Sequence, residues 1–304
     1  MMTKPMRLFA ILLLGALAVG VRAQEVIVPF EMAKPGLDVG VVVTDMDAAK
    51  KFYGEALGLK LLPALPIELP GGGTMVRYQA GGTGGGTVIK LRTFPKAPPA
   101  VEKGAMAANG IRLLTLFVKE PDELTKRIAA LGFTAPKFGP QQPAGYCVGF
   151  VTDPDGNLIE LLAFGADAAA GTFDRFQIGL TVKDAEKARE FYGKVLGLKE
   201  RPAVKMPAQY APDTMEYFFE AGVTTVKFWA PKNERPTRTG QIGEALGIRY
   251  FTFIVKDVDA TYKALQARGV KVTVPPRDLG TIARIMLIAD PDGNTIEFAA
   301  PRAR

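Results

Sequence analysis

The sequence has no histidine, one cysteine and one tryptophan among 304 residues. Without histidine there is no Ser-His-Asp or Cys-His machinery and no imidazole general base. Metal sites built on imidazole are excluded too, including the two-His-one-carboxylate triad of non-haem iron. One cysteine excludes an internal disulfide and a thiolate zinc site. Chemistry in this chain therefore falls to carboxylates, Lys, Arg, Tyr or backbone groups. Apolar residues make up 48% and charged residues 23%, enough for a sizeable core. The length suggests about two domains.

The formal charge of +7 is inflated by the N-terminus. Segment 1–23 has the layout of a secretory signal peptide: Lys4 and Arg7, an apolar run from Leu8 to Val19, then Val21-Arg22-Ala23. Twelve apolar residues span about 18 Å as a helix, short of the ~30 Å of a bilayer core. Cleavage near Ala23, export to the periplasm or medium, and no later membrane contact are the expectations. Without Lys4, Arg7 and Arg22 the charge falls to +4, too mild and too evenly spread for a nucleic-acid partner.

The chain repeats itself. VGVVVTDMDAAKKFYGEALGLK (39–60) and IGLTVKDAEKAREFYGKVLGLK (178–199) share eleven of 22 positions at an offset of 139. GIRLLTLFVKEPDEL (110–124) pairs with GIRYFTFIVKDVDAT (247–261), and TDPDGNLIELL (152–162) with ADPDGNTIEFA (289–299), at an offset of 137. After an N-terminal segment 24–36, the sequence thus divides into a first domain, 37–163, a small-residue linker, 164–175, and a second domain, 176–300. Each divides again, into units 37–92, 110–163, 176–230 and 247–300.

Within a unit the pattern reads strand, helix, then three strands. Met46, Ala49, Phe52, Ala56 and Leu57 recur at helical spacing, Asp45 and Asp184 stand at N-caps, and Gly58 stops the first helix. DPDGN is a turn: Pro sets the first φ and Gly supplies the left-handed position before a last strand. The glycines of GGGTMVRYQAGGTGGGT lack the ending of a phosphate loop and read as hairpin loops. The basic connection 232–243 is an ordinary solvated loop or a lid over a cup.

The two FY-G-x-x-LGL helix ends and the two DPDGN-x-IE segments resemble the vicinal oxygen chelate superfamily of glyoxalase I, extradiol dioxygenases and bleomycin-resistance proteins. The resemblance covers nearly all of 37–300. It implies an α+β fold of four βαβββ units, paired into two cupped sheets with helices outside and the ligand in the cup. It also implies ligand positions on the first and last strand of each unit. Those fall on Asp38, Leu113, Gln177 and Tyr250, and on Lys90, Glu160, Lys227 and Glu297. Glyoxalase I typically has Gln, Glu, His and Glu there; Gln177 and Glu297 fit, while Lys227 and Tyr250 depart. A His-ligated extradiol dioxygenase is excluded.

Strand alternation reaches the same residues. Ile89 and Leu91 point one way, and Val88, Lys90 and Arg92 the other; Ile296 and Phe298 oppose Thr295, Glu297 and Ala299. One face must be apolar to pack under helices, so the charges look into the cup. A charge in a half-buried sheet is costly unless paired. The expected pairs are Lys90 with Glu160 and Lys227 with Glu297. A protonated Lys has no lone pair for a metal. Each pair is a ligand-binding or catalytic element, or a salt bridge that stiffens the cup. Tyr250 is a donor, an acid or a core aromatic, and Trp229 a cup wall or core. Asp38 is a second acid near Lys90 or a strand-edge residue, with Gln177 its neutral counterpart.

The leading expectation is metal-independent binding of a small molecule by a monomer or homodimer. Its competitor is a glyoxalase-like lyase or isomerase with oxygen ligands, Asp38 with Glu160 or Gln177 with Glu297. Such ligands favour Mg, Mn or Ca over Zn. The third is a noncatalytic structural or partner-binding protein with filled cups.

Overall fold

In the computed structural model, which describes residues 28–302 except 67, 82–85, 166, 170 and 208–210, caps and alternation set the elements of four units. The expected signal peptide, 1–23, lies outside the described residues. Unit 1 holds β1 (Asp38–Val42), helix α1 (Met46–Lys50, widening into a π-helical stretch Lys51–Ala56), β2 (Lys60–Leu61), β3 (Met75–Ala80) and β4 (Thr87–Arg92). Unit 2 holds β5 (Gly110–Val118), α2 (Pro121–Ala130), β6 (Tyr146–Thr152) and β7 (Leu158–Phe164). Unit 3 holds β8 (Phe176–Thr181), α3 (Ala185–Arg189, continuing as Glu190–Val195), β9 (Lys199–Lys205), β10 (Met215–Ala221) and β11 (Thr224–Trp229). Unit 4 holds β12 (Gly247–Ile254), α4 (Val258–Ala267), β13 (Val272–Leu279), β14 (Ala283–Ala289) and β15 (Thr295–Pro301).

The Asp45 side chain accepts from the N–H groups of Asp47 and Ala48, and Asp184 does the same for Glu186 and Lys187. Gly58, at φ 72°, ends the first helical segment in the left-handed region. Unit 2 departs from the expected pattern, because 132–145 forms no strand. Pro136, Pro140 and Pro143 remove the N–H groups a ladder would need.

The sheets are assembled crosswise. One has the order β13-β14-β15-β12-β1-β4-β3-β2, the other β6-β7-β5-β8-β11-β10-β9. Each joins a unit of one sequence repeat to a unit of the other: 1 with 4 through antiparallel β1 and β12, and 2 with 3 through β5 and β8. Units of the same repeat meet through a buried lock instead. Tyr53 donates to Asp153 at 2.9 Å, and Tyr192 to Asp290 at 2.9 Å. This ties the FYG helix to the DPDGN turn, the two motifs that recur together in sequence.

The face opposite the cups is apolar, as alternation predicts. Val39, Ile89, Leu91, Phe251, Phe253, Ile296 and Phe298 of the first sheet join one cluster with Phe52, Tyr192, Ile128 and Leu265 of the helices. The connection 232–243 brings Ile242 to the lining of one cup. It clasps the matching connection of the other repeat, with Asn109 N–H donating to Pro236 at 2.8 Å and Arg238 N–H to Asn109 at 2.9 Å. Among the described residues, no helix is long and apolar enough to cross a membrane.

Candidate functional site in the crossed cups

The crossed pairing decides which charges meet. Lys90 ion-pairs with Glu297 at 2.9 Å, and Lys227 with Glu160 at 2.7 Å. The expected pairs, Lys90 with Glu160 and Lys227 with Glu297, are separated into different sheets. The reason is topological: β4 and β15 lie in one sheet, β7 and β11 in the other. The oxygen-ligand sets Asp38–Glu160 and Gln177–Glu297 are split in the same way. Asp38 shares a cup with Glu297, and Gln177 with Glu160.

A threonine completes each pair. Lys90 Nζ donates to Thr252 Oγ1 at 2.6 Å, and that hydroxyl donates to Glu297 Oε2 at 2.6 Å. In the other cup Thr115 Oγ1 donates to Glu160 Oε2 at 2.7 Å. Thr252 stands beside Glu297 in the sheet register, as Thr115 does beside Glu160. The two triads are equivalent under the repeat. Sequence reasoning missed both threonines, although each interrupts an apolar strand at matching repeat positions, LLTLF and YFTFI.

Burial costs charge, and the carboxylates restore it. Burial works to lower the Lys90 pKa, but Glu297, the Tyr250 side chain and Asp38 outweigh it and hold the value above normal. Burial likewise opposes Lys227, while Glu160 and Glu216 push it up to about 12. Glu216, 3.2 Å from Lys227, is a second carboxylate that the sequence reading did not place here. Both ammonium groups stay protonated at neutral pH, so neither acts as a base. Asp38 is ion-paired with Lys34, which also reaches the Gly86 carbonyl at 3.1 Å.

Aromatic placement separates the cups. In the first, Lys90 sits 4.5 Å from the centre of the Tyr250 ring. Burial raises the Tyr250 hydroxyl pKa, with Lys90 pulling the other way. That ring lies over Gly40, where a Cβ would fall inside it. In the second cup Leu113 holds the Tyr250 position beside Gly179, and the edge of Trp229 covers that glycine. Trp229 is 1% exposed and its Nε1 has no hydrogen-bond partner. It is therefore a buried packing residue of the second sheet rather than an exposed cup wall.

The first cup is open. A cavity of about 560 Å³ is bounded by Asp38, Lys90, Tyr250, Thr252 and Glu297 at its base. Its walls include Leu65, Leu69, Met75, Ile254, Ile285 and Leu287. This lies within the ~300–1,000 Å³ of ligand pockets, which are largely apolar with few polar anchors.

The donors do not suit a divalent metal. Glu297 is committed to Lys90 and Thr252, Asp38 to Lys34, and an ammonium stands between them. A cation placed there would meet a like charge already in position. Among the described residues, no cluster of three His, Cys, Asp or Glu side chains is arranged to hold a metal.

Comparison with known proteins places this geometry in context. The family model described as the Glyoxalase/Bleomycin resistance protein/Dioxygenase superfamily matches residues 37–161 and 173–298. YraH of Bacillus subtilis is 34% identical over 128 residues, 40% of this chain and 94% of that protein. A probable chloroplastic lactoylglutathione lyase of Arabidopsis thaliana is 27% identical over 263 residues, 83% of this chain and 68% of the relative. Glyoxalase I from Zea mays superposes with a TM-score of 0.65 at 21% identity, covering 89% of this chain and 92% of that one.

Proposed function

The chain belongs to the Glyoxalase/Bleomycin resistance protein/Dioxygenase superfamily, and on that premise we propose that it is an exported protein that binds a small organic molecule, without a metal ion, in the cup between its first and last units. The observation that carries this reading is Lys90. Its ammonium is fixed by Glu297 and Thr252 at the base of an open, apolar-walled cavity. An internal cation supplies there the positive charge that a bound metal would otherwise bring. Two hydrogen bonds use two of its three N–H groups, and the ammonium also faces the Tyr250 ring at 4.5 Å.

A lyase activity like the one named for the Arabidopsis relative is the second reading. It draws on the overall sequence similarity and on Glu297, a carboxylate at the base of the cavity. Glu297 is held by an ammonium, however, and this opposes general-base duty. A purely structural role is disfavoured by the open cavity. The expected leader sequence supports export, and assembly of both sheets from units of one chain supports a monomer.

Elemental analysis of the purified protein, paired with calorimetric titration of Mg, Mn and Zn, tests the metal-free reading. The expected result is substoichiometric metal and no saturable heat. One equivalent of retained metal that is lost on Glu297→Gln overturns it. Cell fractionation tests export.

A further inference from the structure

We propose that the first cup selects an apolar organic anion, whose acidic group is received by Arg77 and Arg92; this rests on the small-molecule reading above. Two observations carry the choice of charge. The first is the difference between equivalent positions in the two cups. In the register of β3 and β4, Arg77 stands beside Lys90 and Met75 beside Arg92. In β10 and β11, Phe218 stands beside Lys227 and Glu216 beside Trp229. The second cup thus answers Lys227 with Glu160 and Glu216, and its Trp229 is buried. The first cup has guanidinium groups where the second has Phe218 and Trp229, and Met75 where the second has Glu216; its own second acid, Asp38, is paired with Lys34.

The second observation is that neither guanidinium group is ion-paired: Asp38 acts on Arg77 only from a distance, and Arg92 lies over the Phe94 ring at 4.2 Å. Lys90 is matched by Glu297, and Asp38 by Lys34. Arg77 donates to the Pro63 carbonyl at 2.7 Å, and Arg92 to the Pro70 carbonyl. Neither has a carboxylate in ion-pair distance among the described residues. Arg92 is 8% exposed, and its Nε has no hydrogen-bond partner. Both arginines line the cavity. Burial lowers the pKa of each, the mark of charges stripped of water without full compensation. An anion between them would restore that loss through charge-assisted hydrogen bonds. Aliphatic walls above them favour an apolar body over a polyanion such as a nucleotide. A cationic ligand would face Lys90 and both arginines.

A matched dye pair tests this on the full chain. Anilinonaphthalene sulfonate and its neutral parent N-phenylnaphthylamine differ only in the acidic group. The sulfonate is expected to bind with one-to-one stoichiometry and at least about tenfold more tightly. The double variant Arg77→Leu/Arg92→Leu should bring the two dyes to within about threefold, while neutral-dye affinity is kept as the report of an intact cup. Arg77→Lys/Arg92→Lys should retain the preference for the anion. Ile285→Trp, which fills the cavity, should weaken both dyes.

Equal or tighter binding of the neutral dye overturns the anion class and leaves the small-molecule reading standing. An anion preference that survives the leucine variant also overturns it. Absence of binding by both dyes, or binding indifferent to Ile285→Trp, removes the cup as a ligand site, and this proposal with it.

Discussion

Lys90 shows how one side chain can hold a cup together and keep it from closing. Its charge sits among Glu297, Thr252, Asp38 and the Tyr250 ring, and removing it strands a buried carboxylate. Lys90→Met is expected to cost about 3–5 kcal/mol in urea unfolding, the usual penalty for breaking a buried pair from one side. Lys90→Met/Glu297→Met should recover most of that loss, because it removes both charges together. A single variant within about 1 kcal/mol of the parent would show that the pair is hydrated and unimportant. At this scale the sequence shows which face a side chain takes. Alternation put Lys90 and Glu297 on the cup face, because a strand's two sides are a local property, and the repeat extended this to Lys227 and Glu160. Their partners were misread, since partners depend on which strands become neighbours. Arg77 went unnoticed because nothing in a short polar-apolar strand marks an unanswered cation.

The elements that recur twice are bound by the Tyr–Asp lock. Asp290 receives Tyr192, the side chain of Asn294, and backbone N–H groups of Asp292 and Asn294. Burial nevertheless dominates and pushes its pKa from 3.8 up to about 6, against the hydrogen bonds from Asn294 and Tyr192. The folded chain therefore holds a proton that the unfolded chain releases between those two values. Stability contributed by this group is greatest below about 4, falls as pH rises toward 6, and is level beyond. The swing is on the order of 3 kcal/mol. Denaturant curves of the parent and Asp290→Asn at pH 4 and pH 7 check it: the parent's relative stability should decline by that amount. Parallel pH profiles would contradict it. Helices and caps were legible because Asp45, Asp184 and Gly58 act within a few residues of themselves. The missing strand of unit 2 was hidden by the repeat itself, which invited the same pattern despite three prolines between 136 and 143.

At the scale of the molecule, the repeat marks halves that are not self-contained. β1 needs β12, and β5 needs β8. A fragment spanning 28–165 carries β1 and β5 with both of those edges open. Since β5 is the repeat counterpart of β12, and β8 that of β1, two copies can complete each other. The fragment is expected to sediment as a twofold dimer with an isologous interface. A folded monomer would mean that units of one half can pair side by side after all. The crossed architecture was invisible in a single sequence, because unit pairing is decided by strand contacts between distant positions, Asp38 with Thr252 and Leu113 with Gly179, that no local pattern marks.

The junction of β1 with β12 has a consequence in time as well as space. During synthesis the first strand emerges long before the unit that will cover its edge. Through that interval β1, with the apolar run Val39, Val41 and Val42, offers a bare template for pairing with another chain. Folding gated by such a distant contact is slow. The second half of the polypeptide therefore acts as the delayed shield of the first, and a nascent chain kept unfolded until its last strand is made avoids the hazard.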